Sequence, residues 1–385
     1  GVYKAVRAVI VREGEEVDRR EFVLPEHVAG KEPVRLRTQM LSVGANLYVE
    51  RDGKSTLVGH VDIVKHFDLR HKDLARRFEF CLRGSVEAGQ SIYVDEVTSA
   101  LSPGCGQADI RAITHKDGSP MWDQGRLWLT ITLRGRHGGW PMQGVFSLNP
   151  SVFDIQFEGL IVFDRGDGLL RNELASHIFR DDETGQWQGM TVGFSYAADP
   201  LEQEKKQLWA VTSERDPRFG FSVMNARPLE MPGSSEDPCV VYDESAGKWR
   251  VLVCAQGKGF PATLYEASQW DGPYTRIAGP VDVDSTGCQL QKFGGEYYAL
   301  IGSADRAVYI YSYPKLDLVG ELAMHRPPWG EKSSTRVWPT VVPLPEGYPA
   351  PYIMLTMDRS NFPGMPTPSW TYGAMYLYHG HPVVR

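Results

Sequence analysis

The stretch EDPCVVYDESAGKW at residues 236–249 contains a complete β-hairpin pattern. An acidic pair opens a short apolar strand, a polar turn with Gly247 follows, and Trp249 begins a second apolar strand. Polar, glycine-containing turns between two apolar runs are typical of β-hairpins. Residues 173–187, ELASHIFRDDETGQW, repeat the pattern almost position for position. The two stretches therefore predict equivalent units of a repeated β-structure.

Three weaker copies extend the repeat: ADIRAI at 108–113, CQLQKF at 288–293 and RVWPTVV at 336–342. Successive openings lie roughly 50 to 65 residues apart, the length of a four-stranded propeller blade with its loops. Five such units would close into a ring that leaves no long strand edge open. The sequence thus predicts an all-β fold, a five-bladed β-propeller over residues 105–385. A two-sheet sandwich, which also contains many short alternating strands, is the alternative.

Residues 1–104 fit this repeat poorly. Residues 2–11 and 34–50 have the composition of strands, and residues 67–80 predict a short helix rich in Arg and Lys. We expect this N-terminal β segment to wrap the ring, to supply an outer strand to the last blade, or to add a small β layer.

Charge and composition exclude several classes of partner. The net charge is −7 and no run of Lys and Arg forms a basic stripe, so neither a nucleic acid nor an anionic membrane surface is expected. No apolar stretch approaches the length of about 18 residues that spans a bilayer. The chain begins with Gly rather than Met, so a removed signal peptide, with a secreted or periplasmic location, stays open beside a cytoplasmic location.

The cysteines are Cys81, Cys105, Cys239, Cys254 and Cys288. They contain no CxxC pair, so a zinc site is not supported, and we expect buried free thiols in a reducing compartment. A disulfide between Cys239 and Cys254, across neighbouring strands, is the alternative.

Acidic residues open the predicted inner strands of three consecutive blades: Asp109, Glu173 and Glu236. In a propeller the residues that open these strands converge at one mouth of the central channel. Hydrolysis of a glycosidic bond needs a protonated carboxylic acid for the leaving oxygen and an ionised carboxylate for water or the sugar. A third carboxylate nearby raises the pKa of the acid. The sequence therefore predicts a glycoside hydrolase with these three catalytic residues.

The hairpin at 236–249, with YEASQWDGPYT at 265–275, resembles the five-bladed β-propeller glycosidases, the group around glycoside hydrolase families 43, 62, 32, 117 and 130. The resemblance covers residues 105–380 and implies that Asp109 is the base, Glu173 sets the pKa of the acid, and Glu236 is the general acid. It favours a pentoside such as an arabinoside of a plant or microbial polysaccharide. It implies no required cofactor, with a structural metal ion in the channel for some relatives.

The chain departs from the pattern of this group at two of these sites. Glu173 stands where the group usually has Asp, and residues 236–238 read Glu-Asp-Pro rather than Glu-Gly-Pro. The individual family, and a retaining or inverting outcome, therefore stay open.

Further residues near the strand openings are predicted to contact the sugar: Arg171, Asn172, His177, Asp237, Gln289, Arg336, Trp338 and Trp122. Several have structural alternatives. His177 fits a buried core histidine, Arg171 fits an ion-pair partner of Glu173, and the tryptophans fit packing positions.

Two other functions compete with hydrolysis. A non-catalytic propeller that binds sugars or proteins would have an aromatic channel mouth without convergent carboxylates. A glycoside phosphorylase would need a basic cluster for phosphate, for which Arg171, Arg336 and His177 are the candidates.

Overall fold

The computed structural model describes residues 3–40, 44–63, 65–104, 106–134, 141–194, 206–325, 337–357 and 374–381. The chain divides into two compact units. The first comprises Gly1–Ser102 with Gly168–Leu170, and the second comprises Pro103–Asp167 with Arg171–Arg385. Almost all regular structure in the described residues is β-strand, so the prediction of an all-β chain is confirmed.

The first unit contains two small antiparallel sheets and one short helix. The elements are β1 (Ala5–Arg12), β2 (Glu15–Val23), β3 (Arg35–Met40), β4 (Gly44–Arg51), β5 (Lys54–Asp62) and α1 (Lys72–Ala75). β1 pairs with β2, and β3, β4 and β5 form the second sheet. The helix predicted over residues 67–80 is therefore only one turn long.

The hairpin of β1 and β2 has a clear local cause. Glu13 and Gly14, which lie between the strands, have φ values of 53° and 88°. Two successive left-handed residues make the tight turn that matches the twist of a hairpin. Leu24, Val28 and Val49 form the small buried core of this unit.

The second unit contains five successive groups of strands. The first group has β6 (Gly106–Ala112), β7 (Thr114–His115), β8 (Trp122–Asp123), β9 (Arg126–Arg134), β10 (Met142–Asn149) and β11 (Asp154–Asp164). After β12 (Leu170–Arg171), the second has β13 (Leu174–Arg180), β14 (Trp187–Val192), β15 (Leu208–Ser213) and β16 (Gly220–Pro228). The third has β17 (Ser235–Asp243), β18 (Lys248–Ala255), β19 (Ala262–Ala267) and β20 (Thr275–Ala278). The fourth has β21 (Ser285–Phe293), β22 (Glu296–Ser303), β23 (Val308–Ser312) and β24 (Leu318–Glu321), and the fifth has β25 (Thr340–Pro343), β26 (Tyr352–Met357) and β27 (Met375–Gly380).

The repeated turn sequence closes the first hairpin of the second and third groups in the same way. Asp181 Oδ1 accepts a hydrogen bond from the Glu183 N–H at 3.0 Å, and Asp243 Oδ1 accepts one from the Ser245 N–H, also at 3.0 Å. An aspartate that bonds to the backbone two residues later mimics a backbone turn. These turns explain why the two stretches look alike in sequence.

The groups are connected through their strands. The parallel pairing of β11 with β16 joins the first two groups into one 11-stranded sheet, whereas the third and fourth are separate four-stranded sheets and the fifth has three strands. The first strands are in contact in cyclic order: β6 with β13, β13 with β17, β17 with β21, β21 with β25, and β25 with β6. The first strands of the five groups therefore form a closed cycle of contacts.

Candidate active site

Four first strands share an irregularity close to their starts. β6, β13, β17 and β21 each contain a shift of pairing register. The residue at the shift has a left-handed φ in every case: Asp109 (55°), Ala175 (52°), Asp237 (56°) and Gly287 (60°). Bulges of this kind change the direction of a side chain relative to the sheet.

The bulges correct the alignment of the repeat that the sequence predicted. The structural equivalents of Asp109 are Ala175 and Asp237. Glu173 lies two residues before Ala175, and Glu236 lies one residue before Asp237. The carboxylates that open these strands therefore occupy different positions relative to the bulges, although their sequence patterns match.

A cavity of about 170 Å³ lies beside these bulges. Three carboxylates line it, those of Asp109, Glu236 and Asp237, so the structure brings these three predicted site residues together. The other lining residues are Arg134, Leu174, Phe194, Cys254, Phe260, Ser285, Thr286 and Trp338. A concave site with few convergent polar groups and aromatic walls is suited to a small ligand such as a sugar ring.

Asp237 is fixed by donors from the neighbouring sheet. Its Oδ2 accepts hydrogen bonds from the Gly287 N–H at 2.9 Å and from the Thr286 hydroxyl at 3.3 Å. The thiol of Cys254 lies 3.7 Å from the same oxygen. These contacts connect β17 with β21 and hold one carboxylate oxygen of Asp237 in a defined position.

Glu236 forms an ion pair at the cavity. Its Oε1 lies 2.5 Å from Nζ of Lys206, and both side chains are mostly buried, with exposed fractions of 16% and 17%. The Lys206 ammonium also lies 4.9 Å from the centroid of the Phe194 ring and 4.8 Å from that of Phe260. A cation between two aromatic faces is stabilised by their π-electrons. Glu236 is thus paired with a lysine in this structure.

Asp109 is buried, with 8% of the residue exposed, and its backbone N–H donates to Sδ of Met357 at 3.0 Å. Met357 ends β26, so this contact connects the first group of strands with the fifth. The left-handed backbone of Asp109 turns its side chain toward the cavity lining.

Glu173 is placed behind the cavity wall rather than in its lining. The residue is 1% exposed, and its Oε2 accepts a hydrogen bond from the Phe194 N–H at 2.5 Å. Phe194 itself lines the cavity. Glu173 therefore positions a wall residue, and its predicted effect on the pKa of an acid stays a prediction.

Arg171 and Asn172 are both buried beside Glu173. Arg171 forms a bidentate ion pair with Asp167, in which the nitrogen–oxygen distances are 2.8 and 2.7 Å. Neither Arg171 nor Asn172 is among the residues that line the cavity.

His177 lies in β13, two residues after the bulge at Ala175, and is buried in the core. Its Nδ1 accepts a hydrogen bond from the Val240 N–H at 2.9 Å, and its Nε2 is 3.1 Å from the Thr114 hydroxyl. Burial, together with the nearby Arg111 guanidinium, lowers the pKa of His177 from 6.5 to about 3. The neutral ring thus connects three strands of different groups, and the structure does not bring it into the cavity lining.

This environment predicts a pH-dependent stability. Between pH 6.5 and about 3 the unfolded chain binds a proton at His177 and the folded protein does not, so stability falls as the pH falls. From pH 7 to pH 4.5 we expect His177 to contribute a loss of about 3 kcal/mol in the free energy of unfolding. His177→Asn, which keeps an acceptor for the Val240 N–H, should be less stable at pH 7 but lose less on acidification. Parallel denaturation profiles for the two proteins between these pH values would contradict this role.

Gln289 connects β21 with β25 through the backbone N–H and carbonyl of a single residue, Val341. Its Oε1 accepts a hydrogen bond from the Val341 N–H and its Nε2 donates to the Val341 carbonyl, both at 2.7 Å. Both amide atoms of Gln289 therefore bond to the protein, at a buried position that does not line the cavity.

We expect Gln289→Leu to lower the free energy of unfolding by about 2–4 kcal/mol, because it leaves two buried backbone groups without these bonds. Gln269→Leu, at an exposed position, is the control and should change stability little. Urea denaturation measures both. A normal stability for Gln289→Leu together with weaker sugar binding would instead support the predicted substrate contact.

The three remaining predicted contacts have different outcomes. Trp338 lines the cavity, is 1% exposed, and donates from its indole N–H to the Ile110 carbonyl at 2.5 Å. Trp122 packs against Tyr348, with ring centroids 5.8 Å apart, and does not line the cavity. Arg336 lies outside the described residues.

Sequence reasoning missed Arg134, Phe194 and Phe260, which line the cavity, and Lys206, which pairs with Glu236. None of them lies in the repeated hairpin phrase, so the repeat contained no signal for them. Lys206 is the most consequential omission, because its ammonium lies against the Glu236 carboxylate.

In the part that the structure describes, no group of three or more His, Cys, Asp or Glu side chains could hold a metal ion. No helix among the described residues is long and apolar enough to cross a membrane.

Comparison with known proteins identifies similar structures only. No family model and no curated protein matches the chain. It is similar to the RS223 β-xylosidase (TM-score 0.49, 13% identity, 72% of this chain and 93% of that one). It is also similar to a GH43 β-xylosidase/α-arabinofuranosidase from a compost microbial metagenome (0.46, 12%, 72% and 92%) and to a GH43_1 enzyme from Xanthomonas citri (0.44, 12%, 67% and 83%). The last two are described as enzymes of glycoside hydrolase family 43. At TM-scores below 0.5 and identities of 12–13%, they assign this chain neither to a family nor to an activity.

Proposed function

We propose that the five strand groups of the second unit are the blades of one β-propeller, and that the protein hydrolyses glycosidic bonds in the acidic cavity near its centre. The cyclic contacts of the first strands support the architecture. The observation that carries the function is the convergence of Asp109, Glu236 and Asp237 on one cavity with aromatic walls. Two carboxyl groups on either side of a sugar are the minimum that glycoside hydrolysis requires.

The surroundings of the carboxylates suggest how the work is divided. Asp109, the proposed base, and Glu236, the proposed acid, come from the first and third groups of strands. Asp237 is held by the Gly287 N–H and suits a role in orienting sugar hydroxyls. As the acid, Glu236 must carry a proton. Its ion pair with Lys206 therefore has to break when the substrate binds. Glu173 supports this arrangement by holding the Phe194 backbone.

A glycoside phosphorylase is the second candidate, and one observation favours it. Arg134 lines the cavity and Lys206 lies against the cavity residue Glu236, so the site has two basic residues that could attract a phosphate. Hydrolysis uses water and needs no such cations. Phosphorolysis needs inorganic phosphate and releases a sugar phosphate.

A panel of nitrophenyl pentosides and hexosides, assayed with and without inorganic phosphate, tests these functions. We expect release of nitrophenol without phosphate, with pentosides such as arabinosides among the substrates. Release that requires phosphate would replace the hydrolase with a phosphorylase. If no glycoside or natural oligosaccharide is cleaved but oligosaccharides bind, the protein is a binding propeller.

A further inference from the structure

Two cysteine thiols are in contact at the wall of the acidic cavity. Sγ of Cys254 in β18 lies 3.1 Å from Sγ of Cys288 in β21, and both residues are buried. Cys254 also lines the cavity, with 1% of the residue exposed.

The described cysteines are all free thiols: Cys81, Cys239, Cys254 and Cys288. The prediction of buried free thiols agrees with Cys239, Cys254 and Cys288 but not with Cys81, which is exposed, and Cys105 lies outside the described residues. The alternative disulfide between Cys239 and Cys254 is wrong. The sulfur that Cys254 faces belongs to a different sheet, which a pairing argument based on neighbouring strands could not identify.

The geometry suits a bond between these two sulfurs. A disulfide has a sulfur–sulfur distance of about 2.0 Å, so the two atoms need to approach by about 1 Å. The resulting bond would connect β18 of the third group with β21 of the fourth.

The pair is also connected to a cavity carboxylate. The Cys254 thiol is within donor distance, 3.7 Å, of Asp237 Oδ2, and the same oxygen accepts the Gly287 N–H. Gly287 directly precedes Cys288 in the chain. A disulfide would remove the thiol hydrogen and pull on the backbone that holds Asp237.

We propose that Cys254 and Cys288 form an oxidisable dithiol, which hydrogen peroxide entering the cavity converts to a disulfide. The Cys254 sulfur, after losing its proton, attacks one peroxide oxygen, and the O–O bond breaks to give a sulfenic acid and hydroxide, which takes up that proton as water. The Cys288 sulfur then attacks the Cys254 sulfur and displaces hydroxide, which leaves as water with the Cys288 proton. Two thiols and one peroxide thus become one disulfide and two waters, and the peroxide gains the two electrons that the sulfurs lose.

The reaction should be slow at neutral pH and faster in alkali. Burial, and then the neighbouring Cys288 thiol, raise the pKa of Cys254, so the reactive thiolate is scarce at neutral pH. The exposed Cys81 should therefore be oxidised first, and Cys81→Ser removes that competing reaction.

Peptide mapping by mass spectrometry after treatment of the folded protein with hydrogen peroxide tests the proposal. We expect a Cys254–Cys288 linked peptide in the wild type and in Cys81→Ser, more at pH 9 than at pH 7, and none after dithiothreitol. In Cys288→Ser the link should be absent and dimedone should trap a sulfenic acid on Cys254. If Cys81 is oxidised while Cys254 and Cys288 both stay alkylatable after unfolding, at pH 9 as well as at pH 7, the proposal is wrong.

The consequence for the cavity rests on the proposed function and is measured separately. If the protein cleaves a glycoside, oxidation of Cys81→Ser should lower that activity several-fold, and dithiothreitol should restore it. Peroxide should have no such reversible effect on Cys81→Ser combined with Cys254→Ser, in which neither the disulfide nor a sulfenic acid on Cys254 can form. Should no glycoside be cleaved, the linked peptide still decides the dithiol chemistry. A linked peptide with unchanged activity would overturn the coupling to Asp237.

Discussion

Asp109→Asn is expected to lower the turnover of a cleaved glycoside by about 10²–10⁴-fold, which is the rate factor that proton transfer by a positioned group usually contributes. The substitution keeps the size of the side chain and removes its ability to take a proton from water. It also respects the backbone, because asparagine is among the few residues that readily adopt a left-handed φ such as the 55° of Asp109. The loss should therefore appear in turnover with an unchanged melting temperature.

A control for this variant lies on the exposed turn after β17. Glu244→Gln removes a carboxylate of the same unit that does not line the cavity, and it should retain the wild-type rate. If Asp109→Asn is folded and cleaves every substrate at the wild-type rate, Asp109 is not the base. Asp237, its structural equivalent in β17, is then the next carboxylate to replace.

Glu236→Gln is expected to produce a loss of similar size, about 10²–10⁴-fold, because glutamine cannot protonate the leaving oxygen. The loss should be smallest for substrates whose leaving group needs no proton, such as dinitrophenyl glycosides. Alkyl glycosides and natural oligosaccharides should show the full effect. Turnover with both classes of substrate measures the difference.

The ion pair with Lys206 offers a matched control for Glu236. Lys206→Met breaks the same contact but keeps the carboxyl group, so its loss of turnover should be much smaller than that of Glu236→Gln. If the two variants lose activity equally for both classes of leaving group, the ion pair matters for structure and Glu236 is not the acid.

The repeat in the sequence predicted the strand groups because the turn chemistry is local. Asp181 and Asp243 bond to their own turns, and each turn ends in a glycine with positive φ, Gly185 and Gly247. Such contacts join residues that are close in sequence, so the turn can be recognised from the sequence alone. The parallel pairing of β11 with β16 has no such local signature, and the sequence did not predict it.

The candidate site was predicted in part, and the bulges explain the limit. Glu236 lies one residue before the left-handed residue of its strand and lines the cavity, whereas Glu173 lies two residues before it and does not. The sequences ELAS and EDPC do not indicate which residue adopts the left-handed conformation. Ala175 occupies the position of Asp109 and Asp237, so Glu173 lies behind the wall. Lys206 was missed because its partnership with Glu236 depends on the tertiary fold alone.

The most direct measurement of the central claim is the turnover of the double variant Asp109→Asn/Glu236→Gln on the best glycoside of the panel. Groups that act as one catalytic unit are not additive, so the double variant should be nearly as slow as the slower single variant. It should still bind the oligosaccharide in a calorimetric titration. A double variant that is folded and cleaves the glycoside at the wild-type rate would contradict the claim that this cavity performs the hydrolysis.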